Sequence, residues 1–323
     1  LAPSLRHIDV RLDPPSLSHP QADAENLLLH INQSQGLDAR FVDIDLLRDL
    51  SEKLRDWDWR CTAHVRGREV IAVSRPGSKP LGLAVDLGST KIAGYLVDLD
   101  SGETLAAQGL MNPQINYGED IVSRLTYAMK SPSGHEKLTQ VVVEALYQLA
   151  QDLCGEIGAE PEEILEAVVV GNTAMHHLLL GLPVRQLALA PFVAASSGDL
   201  DLKARDLGLG LAPGAYVPLP PNIAGYVGSD HVAVLMATAD GWADQHVLAL
   251  DVGTNTEISL ITAGGEITSL SCASGPAFEG YHIHDGTRAT RGAIERVLIT
   301  PDEFYYQTIE GAPASGICGS GIL

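Results

Sequence analysis

The chain has 323 residues, of which 45% are hydrophobic and 19% charged, enough apolar side chain for two or three globular domains and too much for a disordered segment. Lys and Arg number 21 against 41 Asp and Glu, giving a formal net charge of −20 and a pI near 4.8, which opposes nonspecific binding to nucleic acid or to an anionic membrane. No apolar run is long enough to span a bilayer. The four cysteines, Cys61, Cys154, Cys272 and Cys318, are too widely spaced for a metal-binding or redox pair and read as those of a reducing, cytoplasmic setting. Leu1-Ala-Pro-Ser4 carries neither an initiator Met nor a signal-peptide pattern, so a fragment or a processed chain is expected.

Residues 1–80 read as a small α+β domain. Asp13-Pro-Pro15 and Ser18-His-Pro20 are extended linker, and apolar spacing predicts helices over Ala22–Gln33 and Ile44–Arg55. Cys61–Val65 and Val70–Ser74 form a hairpin around Gly67, and Arg75-Pro-Gly-Ser-Lys-Pro80 is a hinge. Trp57 and Trp59 are expected to pack rather than to stack on a ligand. From Leu81 three strands are followed by helices at about 118–130 and 134–157. A buried-type strand, Ala167–Val170, leads through Gly171-Asn-Thr173, whose Asn172 or Thr173 can cap a helix over Ala174–Leu180. Tyr216–Leu219 is a strand and Gly228–Ala239 a helix, giving the order βββαβαβα of a ribonuclease-H-like lobe. A three-strand meander starts again at Val247. Beyond Gly275-Pro-Ala-Phe-Glu-Gly280 come a helix near Ala293 and strands around Val297–Ile299 and Phe304–Thr308. The chain stops in Gly316-Ile-Cys-Gly-Ser-Gly321, where another helix is expected to begin.

The two meanders share a motif. Leu83-Ala-Val-Asp86-Leu-Gly88-Ser-Thr90 returns 165 positions later as Leu248-Ala-Leu-Asp251-Val-Gly253-Thr-Asn255. A repeat on that scale implies two similarly folded lobes, each presenting an Asp-containing tight turn to one polyphosphate. Gly88 and Gly253 let the backbone approach a ligand closely. The amides of Ser89, Thr90, Thr254 and Asn255 can then reach phosphate oxygens, the hydroxyls add donors, and Lys91 adds a positive charge. Asp86 and Asp251 would repel a bare phosphate, so their expected task is to hold Mg²⁺ directly or through water. A single Asp-Gly turn is more often an ordinary hairpin, but two in matching frames favour the phosphate reading.

Other residues are weighed singly. Adjacent His176 and His177 point about 100° apart on a helix, a poor metal pair and a better packing pair. His282 and His284 beside Asp285 have strand spacing, and a plain loop is favoured over a metal-binding or ligand-facing cluster there. Cys318 suits a Gly-rich loop because it is small. Glu257 either orients a water for hydrolysis or is an exposed strand residue. Pro220-Pro-Asn-Ile-Ala-Gly225 either lines the cleft between the lobes or is a simple connecting loop.

The turns Asp86–Lys91 and Asp251–Thr256 resemble the phosphate motifs of the superfamily of acetate and sugar kinases, heat-shock chaperones and actin. Gly316–Gly321 resembles its adenosine motif. More narrowly, Gly171–Gly181, Gly275–Gly280 with Arg288–Glu295, and Gly316–Gly321 together resemble the reductive activators of corrinoid proteins. The resemblance implies an α/β architecture of two ribonuclease-H-like, actin-like ATPase lobes over 81–243 and 244–323, the second incomplete at its C-terminal end, after a small middle or linker domain over 1–80. It implies ATP with Mg²⁺: Asp86 and Asp251 at the metal and with Glu257 at the chemistry, Gly88, Ser89, Thr90, Lys91, Gly253, Thr254, Asn255 and Thr256 at the phosphates, and Gly316, Gly319, Ser320 and Gly321 at the adenosine. In that family, ATP hydrolysis drives an electron from an N-terminal ferredoxin-like iron–sulfur domain to cob(II)alamin on a methyltransferase partner, restoring cob(I). This sequence has no ferredoxin cysteines at its start and ends at the adenosine motif, so the cluster belongs to a domain outside it and the nucleotide cleft is short of helices. The implied partner is a corrinoid protein, with neither nucleic acid nor membrane, and a homodimer is left open. The alternatives are a small-molecule kinase, which needs a carboxylate base near the γ-phosphate, and a binding module in which nucleotide is structural.

Overall fold

A computed structural model describes residues 4–242, 245–253, 255–274, 283–301 and 303–322. They divide into two compact units, Leu1–Asp230 and His231–Leu323.

The first unit begins with a strand that the sequence reading passed over. β1 (Leu5–Arg11) buries Leu5, Ile8 and Val10 and turns Arg6, Asp9 and Arg11 outward, the alternation of a half-buried strand. α1 (Asp23–Gln35) and α2 (Ile44–Asp56) are the two expected helices. α1 ends on Gly36 at φ +63, a left-handed position that suits glycine, and α2 starts on the Asp43 carboxylate, which accepts the Asp45 N–H. β2 (Phe41–Val42) and the hairpin β3 (Arg60–Arg66) and β4 (Glu69–Ser74) complete a four-stranded sheet ordered β1-β3-β4-β2. Trp57 and Trp59 pack against its core, with Arg75 and Arg55 over their rings.

The second sheet of this unit holds six strands in the order β7-β6-β5-β8-β10-β9: β5 (Leu81–Leu87), β6 (Lys91–Asp98), β7 (Thr104–Met111), β8 (Ile164–Val170), β9 (Leu200–Lys203) and β10 (Tyr216–Leu219). β5, β6 and β7 form the antiparallel meander, while β5, β8 and β10 run parallel. α3 (Ile121–Lys130) and α4 (Pro132–Ile157) stand where helices were expected. Leu138, Val142, Leu146, Leu149 and Leu153 of α4 join the core formed by Leu83, Val85, Leu87, Ile92 and Leu96. The packing is tight enough that a Cβ on Gly94 would come within 2.6 Å of Leu149. α5 (Thr173–Leu179), α6 (Arg185–Ala188) and α7 (Ser229–Thr238) follow, α7 running across the division between the units.

The Arg75–Pro80 segment is not a free hinge. Leu5, Ile71 and Ala72 of the small sheet share one core with Leu81 and Leu83 of the large one. Polar contacts reinforce that core. Buried Asp43 accepts from Arg205 at 2.8 Å and lies 3.0 Å from Lys203 Nζ, which also meets Glu69 at 2.7 Å. The Tyr216 hydroxyl donates to Glu69, and its ring lies between Arg66 and Lys203.

In the second unit β11 (Val247–Val252), β12 (Asn255–Ile261) and β13 (Ile267–Ala273) repeat the meander. The expected strands around Val297–Ile299 and Phe304–Thr308 are present, but in place of the helix expected near Ala293 the first of them starts there, as β14 (Ala293–Ile299), paired with β15 (Phe304–Thr308) and with β16 (Gly316–Ile317), and α8 (Gly319–Ile322) follows. Four of the seven residues of Ala-Ile-Glu-Arg-Val-Leu-Ile are Ile, Val or Leu, and Gly292 at φ +83 turns the chain into it, so pairing with β15 outweighs any helical spacing.

Candidate functional site

In the first unit two loops lie side by side at the carboxyl ends of the parallel strands β5 and β8, since Asp86 and Val170 are register partners. Ligands of open α/β sheets bind at such ends. The Gly88-Ser89-Thr90 turn joins β5 to β6, and Gly88 is required because a Cβ there would come within 2.5 Å of the Lys91 carbonyl oxygen. Asp86 and Lys91 are exposed, and Ser89 and Thr90 half-buried. Asp86 projects from the face opposite to buried Leu83, Val85 and Leu87.

The second loop is Gly171-Asn172. The Asn172 carboxamide oxygen accepts the N–H groups of Ala174 and Met175, both at 3.0 Å, and so caps α5. The Gly171 carbonyl accepts the Ser229 N–H at 3.0 Å, and a Cβ on Gly228 would come within 2.3 Å of Asn172 Cα. The Thr173 hydroxyl donates to the Ala224 carbonyl at 2.6 Å. His177 Nδ1–H donates to Thr173 O at 2.7 Å while Nε2 accepts the Ala195 N–H at 2.8 Å, and burial lowers its pKa. His176 is buried beside it, its pKa pushed down to about 4 by burial and by His177. Both rings are core, in keeping with the packing reading.

In the second unit Asp251 and Glu257 are register partners across β11 and β12, and Glu257 and Ser271 across β12 and β13. All three therefore share one face of the sheet. Glu257 is only 6% exposed and accepts the Ser271 hydroxyl at 3.0 Å, so the exposed-strand reading of this residue falls. Burial, and secondarily the Asp251 carboxylate, raise its pKa, while the Ser271 bond works the other way. Two positions along, His231 Nε2 meets Ser259 Oγ at 2.6 Å and Ser259 Oγ meets Ser269 Oγ at 2.7 Å. The Gly253 N–H donates to the Asn255 carbonyl at 3.2 Å. Thr256 is buried on the opposite face of β12 and bonded by the Ser274 hydroxyl. Thr254, the Gly275–Gly280 motif and His282 lie outside the described residues. His284 pairs with Asp285 at 2.7 Å, both exposed.

At the expected adenosine loop, β16 pairs with β14 and delivers the chain to Gly319, Ser320 and Gly321 in α8. A Cβ on Gly321 would come within 2.3 Å of the Ile294 carbonyl oxygen. Cys318 is buried and its thiol donates to that carbonyl at 3.2 Å. Cys61 lies in the core of the small sheet and Cys154 in that of the large one, with burial raising their pKa values to about 12 and about 11. Cys272 is exposed. Among the described residues no group of three or more His, Cys, Asp or Glu could hold a metal ion by itself. No helix among them is long and apolar enough to cross a membrane.

Two repeated meanders opening on Asp-containing turns, in a mixed α/β frame, define the ASKHA, or actin-like, class of fold. Three family models match in succession: the RACo linker region over 1–79, the RACo middle region over 81–239, and the C-terminal domain of RACo, the ASKHA domain, over 245–323. The chain belongs to the RACo family. It is 35% identical over 263 residues to the corrinoid activation enzyme RamQ of Eubacterium limosum, covering 80% of this chain and 44% of that protein. It is 26% identical over 273 residues to the [Co(II) methylated amine-specific corrinoid protein] reductase of Methanosarcina barkeri, covering 75% of this chain and 49% of that one. A solved reductive activator for corrinoid, iron–sulfur protein superposes with a TM-score of 0.84 and 34% identity, over 100% of this chain and 52% of that one. The chain thus spans about half the length of the relatives it matches.

Proposed function

We propose that this chain is the nucleotide- and partner-binding part of an ATP-dependent activator that returns a corrinoid protein from cob(II) to cob(I). The observation that carries the proposal is the Asp251–Glu257 pair on one face of the second meander, beside a turn that repeats the one after Asp86. The residues present fit a Mg²⁺–polyphosphate: hard carboxylate oxygens at Asp86 and Asp251, small turn residues with amides to offer, and no bulky side chain in either turn. Bound Mg²⁺ would neutralise phosphate charge and orient the terminal phosphate. In this reading Glu257 would hold and orient a water and take its proton, a role supported by its raised pKa and its Ser271 bond.

The cysteines do not fit an iron–sulfur cluster, since Cys61 and Cys154 are packed in separate cores and the buried Cys318 thiol is bonded to the Ile294 carbonyl, and no step of the proposal runs through one. Coupling to the partner is a matter of linkage: nucleotide that binds one arrangement of the lobes better shifts their equilibrium, and the corrinoid protein responds to that shift. The test is phosphate release with and without a cob(II) corrinoid protein, and with a panel of sugars and acids. Stimulation by the corrinoid protein alone supports the proposal. Stimulation by a sugar or an acid would replace it with a small-molecule kinase.

A further inference from the structure

Behind the Gly88–Thr90 turn lies a buried polar junction whose Asn112, Gln114 and Arg124 fall outside the recognised motifs. Asn112, the residue after β7, is 1% exposed. Its side-chain amide donates to the Gly88 carbonyl at 2.9 Å, and its main-chain N–H donates to the Thr90 carbonyl, also at 2.9 Å. One residue thus grips both ends of the three-residue turn. The Asn112 carboxamide oxygen accepts the Gln114 N–H at 3.0 Å, and the fully buried Gln114 donates to the Leu138 carbonyl of α4 at 2.9 Å. The grip is therefore anchored to the long helix.

The same Asn112 amide also reaches the Met175 sulfur at 3.6 Å. Met175 belongs to the first turn of α5, whose N–H is held by Asn172. From its other side the sulfur meets Nη1 of Arg124 at 3.7 Å. Arg124 is fully buried, its Nε donates to the Gly118 carbonyl at 2.8 Å, and its Nη2 has no hydrogen-bond partner among the described residues. A buried guanidinium without a bidentate carboxylate is expensive, and so is a buried Asn whose donors serve one turn. Packing alone would be met more cheaply by apolar side chains.

We infer that Asn112, backed by Met175 and Arg124, is a positioning residue that holds the Gly88–Thr90 turn in its phosphate-ready shape and ties it to the Gly171-Asn172 loop. The inference rests on the reading of that turn as a phosphate site. Arg124 adds a buried positive charge two side chains behind the place where phosphate charge would sit.

The full chain carrying Asn112→Ala or Met175→Leu tests this. Backbone amide relaxation of Gly88, Ser89 and Thr90 without nucleotide reads the turn itself, and calorimetry with MgATP reads the consequence. In Asn112→Ala the turn's order parameters should fall from the rigid range near 0.85 to below about 0.6, with those of β5 and β8 unchanged. MgATP affinity should drop about tenfold, the loss expected of one charge-assisted or buried hydrogen bond. Met175→Leu keeps the volume and should lose about threefold. If Asn112→Ala does not fold, Met175→Leu and Asn112→Ser decide by the same two readings. A turn as rigid as wild type in a folded variant, or loosening spread evenly over the sheet, overturns the inference. Should the wild-type chain bind no MgATP, the phosphate reading fails, and the relaxation data still decide whether Asn112 holds the turn.

Discussion

The Glu257 carboxyl sits between Asp251 on β11 and the Ser271 hydroxyl on β13, and its enclosure governs its ionisation. Burial raises its pKa above the ordinary carboxylate range. A carboxyl whose folded pKa exceeds its unfolded one binds its proton more tightly when folded. Its favourable contribution is therefore complete below the unfolded pKa and is lost as the pH rises through the folded value. Glu257→Gln should thus stabilise the chain at neutral pH, by on the order of 1 kcal/mol, and the gain should vanish in acid. The same substitution should remove ATP turnover. Denaturant unfolding from about pH 3 to pH 8 checks the first part, and a variant less stable than wild type at neutral pH would refute it. At this scale the sequence was generous with the turn residues, because Asp and Gly advertise their chemistry. It was silent on Asn112 and Arg124, which act through burial and through partners 24 and 51 positions away.

Among the elements, the two meanders differ in what covers them. In the first, Leu83, Val85 and Leu87 lie in one core with α4. Their counterparts in the repeat are Leu248, Leu250 and Val252, and Leu248 and Leu250 are 59% and 52% exposed, with Leu260 and Leu270 beside them on the same face. Such a contiguous apolar face recruits dyes and partners. The chain by itself should bind an anilinonaphthalene dye and self-associate, and Leu250→Lys should reduce both without lowering the stability of the first unit. Unchanged dye binding in that variant would locate the sticky surface elsewhere. Element types were legible wherever apolar periodicity was strong, as in α2, α4 and the meanders. The first half of β14, around Ala293, was misread as helix because it carries no decisive period and the deciding partner, β15, lies beyond a turn. β1 was passed over because the reading of this domain began at the Pro-rich segment from Asp13, although the buried and exposed residues of Leu5–Arg11 largely alternate.

At the level of the whole molecule, the RACo linker region and the RACo middle region form one compact unit, with Asp43 at their joint. Burial opposes ionisation of Asp43, but hydrogen bonds from Arg205, Lys203 and the Asp45 N–H outweigh it and hold its pKa below the usual carboxylate value. That stabilisation is present above the unfolded pKa and is lost as the pH falls through the depressed one. Asp43→Asn should cost about 3 kcal/mol in urea unfolding at neutral pH, since it strands the Lys203 and Arg205 charges. A cost near zero would mean that the apolar core alone joins the two regions. The sequence did not show this joint because its charges come from positions 160 or more apart.

The central claim is that MgATP binding by this chain depends on Asp86 and Asp251, the acidic residues ahead of the two repeated turns. Titration calorimetry of MgATP, on the longest version of the protein that carries this chain, addresses it most directly, with wild type, Asp86→Ala and Asp251→Ala compared under identical salt. The account predicts one site per chain and loss of Mg²⁺-dependent binding in each single variant, with the unfolding midpoints preserved. Two independent sites, or wild-type affinity in either variant, would contradict it.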